Sequence, residues 1–310
     1  MNQLSRREFL TVSGCVGIAA TASRVVGMEP IQRVGKPRLR LSLAAYSFRD
    51  FFKDASHSRI AAPPPEKQLD LFQFLDFCAD HECDGAELTA YYFPAEITAE
   101  FLARLKRHAF LRGVAISGSA VGNNFALPKG EKLNQEIAAL KKWIDRAAAL
   151  GAPHIRVFAG APKEISETEA RANCVSTLEE CAEYAGSKGI FLGLENHGGI
   201  VSDSEGMLAI LRAVKSRWLG VSLDTGNFHT TDPYADLAKI APYAVNVQLK
   251  VEISPRGKPS EPADLPRLVK ILRDANYQGY VALEYESKED PWTAVPLLLK
   301  RLKELLAGDK

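Results

Sequence analysis

The stretch FLGLENH at residues 191–197 is a short apolar run that ends in a carboxylate and a histidine. Similar runs that end in polar side chains follow in VSLDTGN (221–227), NVQLK (246–250) and VALEYE (281–286). Short apolar runs bounded by polar residues are typical of the buried strands of parallel sheets. These four stretches therefore predict strands that each carry a polar, metal-capable side chain at the C-terminal end.

Outward from these runs, residues 39–306 alternate short apolar segments with longer amphipathic ones. The predicted strands are Leu41–Tyr46, Gly85–Leu88, Gly113–Ser117, His154–Phe158, Ile190–Leu194, Leu219–Leu223, Ala244–Leu249 and Tyr280–Leu283. The predicted helices include Glu131–Leu150, Glu167–Ser187, Ser204–Val214, Pro233–Ile240, Leu265–Ala275 and Trp292–Leu306. Strands that alternate with helices predict an α/β fold with a parallel sheet, and their number favours a single (β/α)₈ TIM barrel. Pro63–Pro65 and Ser254–Pro262 are expected to be loop insertions.

Composition restricts the class of partner. The chain has 310 residues, of which 46% are hydrophobic and 25% charged, and its net charge is +1. A nearly neutral chain has no overall field that attracts polyanions, so we expect no nucleic-acid partner. The five cysteines lack zinc-ligand spacing, and an odd number is no disulfide framework. We interpret them as small buried apolar residues.

Residues 1–28 differ from the rest and are interpreted as an export signal and linker. SRREFL (5–10) precedes a weakly apolar stretch rich in Gly, Ala, Ser and Thr, and Ala20-Thr21-Ala22 offers a small-residue cleavage site. This pattern resembles a twin-arginine signal, which predicts a periplasmic bacterial protein that meets the twin-arginine export machinery. The stretch is too short and polar for a membrane span. A lipoprotein box ending at Cys15, or a chance arginine pair, are the alternatives.

The polar strand ends are expected to meet. In a barrel the C-terminal ends of the strands surround one mouth, where active sites are built. Glu195, Asp224 and Glu284 would then repel one another in an apolar setting, and a bound divalent cation relieves such repulsion most simply. Any one of these carboxylates is better explained as a surface or helix-capping group. Their recurrence over successive strands favours a metal site.

The ordered motifs resemble a known superfamily. LENHGG (194–199), LDTGN (223–227), VQLK (247–250) and LEYE (283–286), with YSF (46–48) and GAEL (85–88), resemble the xylose-isomerase-like TIM barrels, the sugar phosphate isomerase/epimerase family. The resemblance covers residues 39–306. It implies that four side chains ligate a divalent metal: Glu195, Asp224, Gln248 and Glu284.

Two positions depart from the family pattern. Many members carry His where Gln248 stands, and many carry His where this chain has Asn227. A ligand set of carboxylates and one amide oxygen favours Mn²⁺ or Mg²⁺ over zinc. The change at Asn227 alters a position that contacts substrate in the family, and His229 is an alternative contact.

The resemblance also implies roles in catalysis. Glu195 and Glu284 would move a proton to and from carbon. His197 and Lys250 are candidates to polarise or bind a substrate oxygen, although His197 has a structural alternative. The predicted substrate contacts are Arg156, Asn227 and Glu87. Arg156 has an equal alternative as the partner of a buried carboxylate, either Glu87 or Glu195.

These residues imply a metal-dependent sugar isomerase or epimerase, which moves a proton or hydride next to a carbonyl of a sugar-like substrate through an enediolate. One alternative is an exported metal-dependent lyase or hydrolase acting on keto-sugars or glycosides. Another is a non-catalytic sugar-binding protein. An endonuclease of the same fold is disfavoured, because the strand ends lack the histidines of a trinuclear zinc cluster. An oligomer is compatible with the sequence.

The export prediction is tested by replacing Arg6 and Arg7 with Lys. Because the twin-arginine route reads that pair, we expect the double variant to accumulate in the cytoplasm as folded protein. Cell fractionation with immunoblotting measures this. Unchanged export would show that residues 1–28 are a leader of another kind.

Overall fold

The computed structural model describes residues 27–54 and 63–308. The strands are β1 (Arg38–Ala44), β2 (Gly85–Thr89), β3 (Ala115–Ala120), β4 (His154–Phe158), β5 (Phe191–Glu195), β6 (Leu219–Asp224), β7 (Ala244–Leu249), β8 (Glu252–Ile253), β9 (Glu261–Pro262) and β10 (Gln278–Leu283). The α-helices are α1 (Leu71–Asp80), α2 (Ala99–Leu111), α3 (Glu131–Leu150), α4 (Glu167–Ser187), α5 (Ser204–Ala213), α6 (Pro233–Ile240), α7 (Leu265–Asp274) and α8 (Pro291–Ala307).

The sheet closes on itself. Its order is β1-β10-β7-β6-β5-β4-β3-β2, and β1 pairs with β2 to complete the ring. Every pair in this ring is parallel. The prediction of a single (β/α)₈ barrel is therefore confirmed. Within the described ranges, no helix is both long and apolar enough to cross a membrane.

Some predicted boundaries were wrong for local reasons. The third strand begins at Ala115 rather than Gly113, because Gly113 adopts a φ of +70° in the preceding turn. It also extends to Ala120, three residues beyond the predicted end. The insertion predicted at Ser254–Pro262 is not wholly irregular, since β8 and β9 pair as a short antiparallel hairpin. The predicted leader lies outside the described residues up to position 26.

Side-chain caps fix the residues at which most of the described helices begin. Among the described helices, all but α3 begin with a residue whose side chain accepts a hydrogen bond from a backbone amide of the first turn. The start of α1 is a capping box, in which Asp70 and Gln73 satisfy each other's backbone amides. Such caps satisfy donors that the helix leaves unpaired. The loops around the mouth are therefore tied to defined helix ends.

The cysteines are buried and reduced. Cys78, Cys83, Cys174 and Cys181 are free thiols within the described part of the chain, which confirms their interpretation as small core residues. Burial raises the pKa of Cys174 and of Cys181 to about 12, so both remain protonated and unreactive at neutral pH.

A segment before β1 covers the end of the barrel opposite the mouth. The amide of Met28 donates to the carbonyl of Leu211, and the amide of Ile31 donates to that of Pro242. The Arg33 guanidinium donates to the carbonyl of Ala244 and lies 5.3 Å from the ring centre of Tyr277. Residues 28–33 thus belong to the folded barrel rather than to a free linker.

Inside the barrel, the His154 ring has room only because the neighbouring residue, Gly118, has no side chain. A Cβ built on Gly118 would lie 1.8 Å from Cε1 of His154, so only glycine leaves room for the imidazole. Burial lowers the pKa of His154 to about 4. Neither ring nitrogen has a hydrogen-bond partner among the described residues. The neutral ring therefore acts as a filler of the interior.

Gly118→Ala should lower the free energy of unfolding by about 1–3 kcal/mol, a typical cost of overpacking a closed core. The cause is the contact between the new methyl group and the His154 ring. Urea unfolding followed by tryptophan fluorescence measures it. In a His154→Ala background the same substitution should cost about 1 kcal/mol less, because the clash is gone. Equal costs in both backgrounds would refute this packing explanation.

Candidate functional site

The ends of four neighbouring strands form the candidate site. Glu195 ends β5, Asp224 ends β6, Gln248 lies near the end of β7, and Glu284 directly follows β10. Asp224 and Gln248 are directly opposite each other in the β6–β7 pairing. All four side chains belong to residues that are at most 5% exposed. The barrel therefore brings the predicted ligand residues to one mouth, and their role as ligands stays a prediction.

Arg156 on β4 is the partner of Glu195. Its Nε lies 2.8 Å from Oε2 of Glu195, and both side chains are only 4% exposed. Nη1 donates to the carbonyl of Val121 at 2.7 Å, and the guanidinium stacks 4.1 Å from the ring centre of Phe158. The carboxylate-partner alternative is thus the one that the structure describes for Arg156. Its predicted contact with substrate stays a prediction.

Lys250 forms the second cationic centre of the mouth. Its Nζ lies 3.1 Å from Oδ2 of Asp224 and 2.5 Å from a carboxylate oxygen of Glu286. It also donates to Oδ1 of Asn227 at 3.0 Å. Burial opposes the charged form, but the carboxylates of Asp224, Glu284 and Glu286 hold the pKa of Lys250 well above its ordinary value. Lys250 is therefore a fixed positive charge.

Asn227 bridges Lys250 and Glu195, the carboxylate that pairs with Arg156. Its Nδ2 donates to Oε1 of Glu195 at 2.8 Å, while its Oδ1 accepts from Lys250. An amide can serve both neighbours because it has a donor and an acceptor. His229, the alternative contact, lies in an exposed loop with Nδ1 3.1 Å from the carbonyl of Ser254. The predicted substrate role of Asn227 stays a prediction.

Glu87 on β2 orients the amide of Gln248 by a hydrogen bond. One of its oxygens accepts from Nε2 of Gln248 at 2.7 Å, and the other accepts from Nδ2 of Asn246 at 2.7 Å. With Nε2 held by a carboxylate, Oε1 of Gln248 accepts a long hydrogen bond of 3.5 Å from Oγ of Ser222. Glu87 is completely buried. The structure gives it a positioning task, and a direct contact with substrate stays a prediction.

The acids of the mouth resist ionising together. Burial raises the pKa of Glu195 to about 7, against the opposing charge of Arg156. Burial also raises the pKa of Glu284 well above its ordinary value, with Asp224 and Glu195 adding to the shift and Lys250 opposing it. Carboxyls with a pKa near neutrality can both accept and donate protons at physiological pH, as general acid–base catalysis requires.

His197 lies at the rim of the mouth. Its ring centre is 4.3 Å from that of Phe158. Partial burial, together with the positive charges of Arg156 and Lys250, lowers its pKa, so the ring is neutral near pH 7. A neutral imidazole can donate one hydrogen bond to a substrate oxygen or accept one from a substrate hydroxyl. Its catalytic role stays a prediction.

Sequence reasoning left out three residues of this network. Asn246 and Glu286 carried a signal, because each shares a strand face with a predicted ligand two positions away. Phe158 carried none, because an aromatic residue at a strand end is as typical of a core position.

The donor set fits a divalent cation on two grounds. Oδ2 of Asp224 is buried and accepts no hydrogen bond from the described residues, being paired only electrostatically with Lys250. The charges of Asp224 and Glu195 also raise the pKa of Glu284, which is the repulsion that a cation would remove. Over residues 27–54 and 63–308, no three His, Cys, Asp or Glu side chains are already arranged as a metal site. The carboxylate side chains of the mouth would therefore have to move to bind a cation.

Comparison with known proteins finds a sequence relative and solved structures of the same fold. The human putative hydroxypyruvate isomerase is 26% identical over 235 residues, which are 66% of this chain and 81% of that protein. Two solved structures share the fold. D-psicose 3-epimerase from Clostridium cellulolyticum H10, solved with D-tagatose, has a TM-score of 0.65 at 16% identity, covering 87% of this chain and 92% of its own. The IolI protein, solved with a zinc atom, has a TM-score of 0.65 at 17% identity, covering 86% and 96%.

The family is shown by a match over most of the barrel. The sequence profile described as the xylose isomerase-like TIM barrel matches residues 75–305, which begin within α1, end within α8 and include every residue of the mouth named above. The chain belongs to the xylose isomerase-like TIM-barrel family.

Proposed function

We propose that the protein is a metal-dependent sugar isomerase or epimerase that moves a proton at a carbon next to a carbonyl of a sugar-like substrate. The observation that carries this proposal is the pair Glu195 and Glu284, two carboxyls buried at the mouth, with the pKa of Glu195 raised to about 7 and that of Glu284 raised well above its ordinary value. The named relatives support the reaction class, since the human one is called an isomerase and the clostridial one an epimerase.

The positions of the two carboxyls support action on different sides of a substrate. In the barrel, β5 and β10 are separated by β6 and β7, so Glu195 and Glu284 approach the mouth from different directions. An epimerase needs one group to remove a proton and another to return it on the opposite face. Arg156 and Asn227 hold the two oxygens of Glu195, which orients that carboxylate toward one side.

Four residues would hold the cation: Asp224, Glu284, Glu195 and Gln248. Their oxygen donors suit Mn²⁺ or Mg²⁺. When bound, a divalent cation polarises a carbonyl and stabilises the negative charge that develops on its oxygen. Lys250 and His197 are the side chains best placed to bind a further substrate oxygen.

Glu195→Gln and Glu284→Gln should each lower kcat by about 10²–10⁴-fold, because each change keeps size and an oxygen but removes the basic group. The assay is a screen of sugars and keto-sugars with Mn²⁺-loaded protein in D₂O, with loss of the exchangeable C–H signal followed by NMR. Glu289→Gln is the matched control, since Glu289 is an exposed carboxylate in the loop after β10.

Near-normal kcat in both glutamate variants, with metal still bound, would rule out proton transfer by these groups. A reaction without deuterium incorporation would instead indicate a hydride shift, and no turnover of any sugar would favour a binding protein.

Gln248→His should retain the reaction and shift the metal preference toward Co²⁺ or Zn²⁺. The reason is that Glu87 can accept from one imidazole nitrogen and leave the other for the metal, as in other carboxylate–histidine–metal arrangements. Metal affinities measured by titration calorimetry test this without an activity assay. In the Glu87→Gln background the imidazole keeps only a neutral amide oxygen as acceptor and loses the carboxylate charge, so the gain in Zn²⁺ affinity should shrink by about tenfold or more. An equal gain in both backgrounds would contradict the orienting role of Glu87.

A further inference from the structure

The ammonium of Lys250 is placed on the oxygen that Asp224 would offer to a cation. Oδ1 of Asp224 accepts a hydrogen bond from the backbone amide of Gly226 at 2.8 Å, whereas Oδ2 accepts none from the described residues. Nζ of Lys250 lies 3.1 Å from that Oδ2. The side chain of Asp224 is completely buried, so the charge on Oδ2 has little water to screen it. Two cations beside one unscreened oxygen repel each other, so Lys250 and a metal ion exclude each other there.

The chain around Lys250 holds its ammonium in the mouth. The backbone amide of Lys250 donates to Oγ1 of Thr225 at 2.8 Å, which joins the end of β7 to the loop after β6. The stem then passes Gly226, where an added Cβ would lie 2.8 Å from Cδ and 3.0 Å from Cβ of Lys250. A side chain at position 226 would therefore displace the lysine. Because the side chain of Lys250 is only 15% exposed, its ammonium is held among the carboxylates rather than in water.

Glu286 gives the ammonium a second partner. Nζ of Lys250 also lies 2.5 Å from Oε2 of Glu286. The side chain of Glu286 is 28% exposed, while that of Asp224 is fully buried. Water therefore supports an ammonium beside Glu286 better than one beside Asp224. The ammonium can leave Asp224 by a small movement and still keep a counter-ion, which lowers the free energy needed to displace it.

We propose that Lys250 is a built-in competitor of the metal ion, and that a divalent cation must displace its ammonium from Asp224 toward Glu286 in order to bind. This regulates the site of the proposed function and rests on that function for the cation itself. The cation is favoured because its double charge gains more from the carboxylates than the single charge of the ammonium. The apparent affinity for the metal is lowered by the fraction of molecules in which Asp224 is released from Lys250.

A purely structural ion pair would behave differently from a competitor. If Lys250 only stabilised the folded mouth, its removal would disturb the carboxylates and leave the affinity for Mn²⁺ unchanged or weaker. If Lys250 competes with the metal, its removal strengthens Mn²⁺ binding. The protein without metal then becomes less stable, because the buried carboxylates lose their counter-ion. Metal affinity and metal-free stability thus change in opposite directions only if Lys250 is a competitor.

Lys250→Met tests this, since it keeps a stem of similar length and removes the charge. We expect titration calorimetry with Mn²⁺ to give an affinity about tenfold or more above that of the unaltered protein. Lys250→Gln should change the affinity in the same direction. Lys288→Met is the matched control, because Lys288 is an exposed lysine in the loop after β10. Its removal changes the net charge equally and should alter the affinity by no more than about twofold, because exposed charges are screened.

Glu286→Gln separates competition from a general effect of charge. With Lys250 present, the change removes the carboxylate toward which the ammonium moves, so the Mn²⁺ affinity should fall by about tenfold or more. In the Lys250→Met background there is no ammonium to displace, and the loss should be at least about threefold smaller. Equal losses in both backgrounds would overturn the proposal, because they would show that the two charges act independently on the metal.

Thermal unfolding with and without Mn²⁺ extends the test to variants that are unstable without metal. Mn²⁺ should raise the Tm of Lys250→Met more than that of the unaltered protein. An Mn²⁺ affinity that is unchanged or weaker in both Lys250 variants would overturn the proposal and leave the proposed function standing. No binding of Mn²⁺ by the unaltered protein or by any variant would instead overturn the metal dependence of the proposed function, and the proposal with it.

Discussion

The mouth of this barrel holds more acid than its own cations can neutralise. Five carboxyls meet there, those of Glu87, Glu195, Asp224, Glu284 and Glu286, and the cations that contact them are Arg156 and Lys250. In a buried setting this excess is costly, because each further ionisation is opposed by the others. The raised pKa values of Glu195 and Glu284 express that cost, and a divalent cation is the simplest partner that would remove it.

Hydrogen bonds, ion pairs and helix caps around the mouth hold these carboxylates in place. Glu87 holds the amide of Gln248 by a hydrogen bond. Arg156 and Asn227 each hold one carboxylate oxygen of Glu195. Capped helices define the loops that follow the strands. Catalytic groups require such preorganisation, because a general base that is free to rotate loses its alignment with the substrate. The opposite end of the barrel has no part in the site. It is stabilised by apolar packing and by the segment before β1.

Much of this was predictable from the sequence, and the remainder has a physical reason. Glu131–Leu150 and Glu167–Ser187 were predicted with the bounds that the structure gives. The amphipathic pattern of the first helix, and the glycine that follows each helix, are signals of this kind. Alternation along the strands brought Glu195, Asp224, Gln248 and Glu284 together. The pairing of Glu87 with Gln248 was not predictable, since contacts across a barrel depend on its register and closure. The hydrogen bond from Arg156 to the carbonyl of Val121 depends on loop conformation, which periodicity does not describe.

The most direct test of the account is a crystal structure of the protein grown with Mn²⁺, with anomalous diffraction used to locate the metal. The account predicts one strong anomalous peak at the mouth, at about 2.0–2.6 Å from oxygens of Asp224, Glu284, Glu195 and Gln248. Lys250 should remain beside Glu286 without occupying that point. A map at saturating Mn²⁺ with no peak at the mouth would contradict the claim that its excess of carboxylates is a cation site.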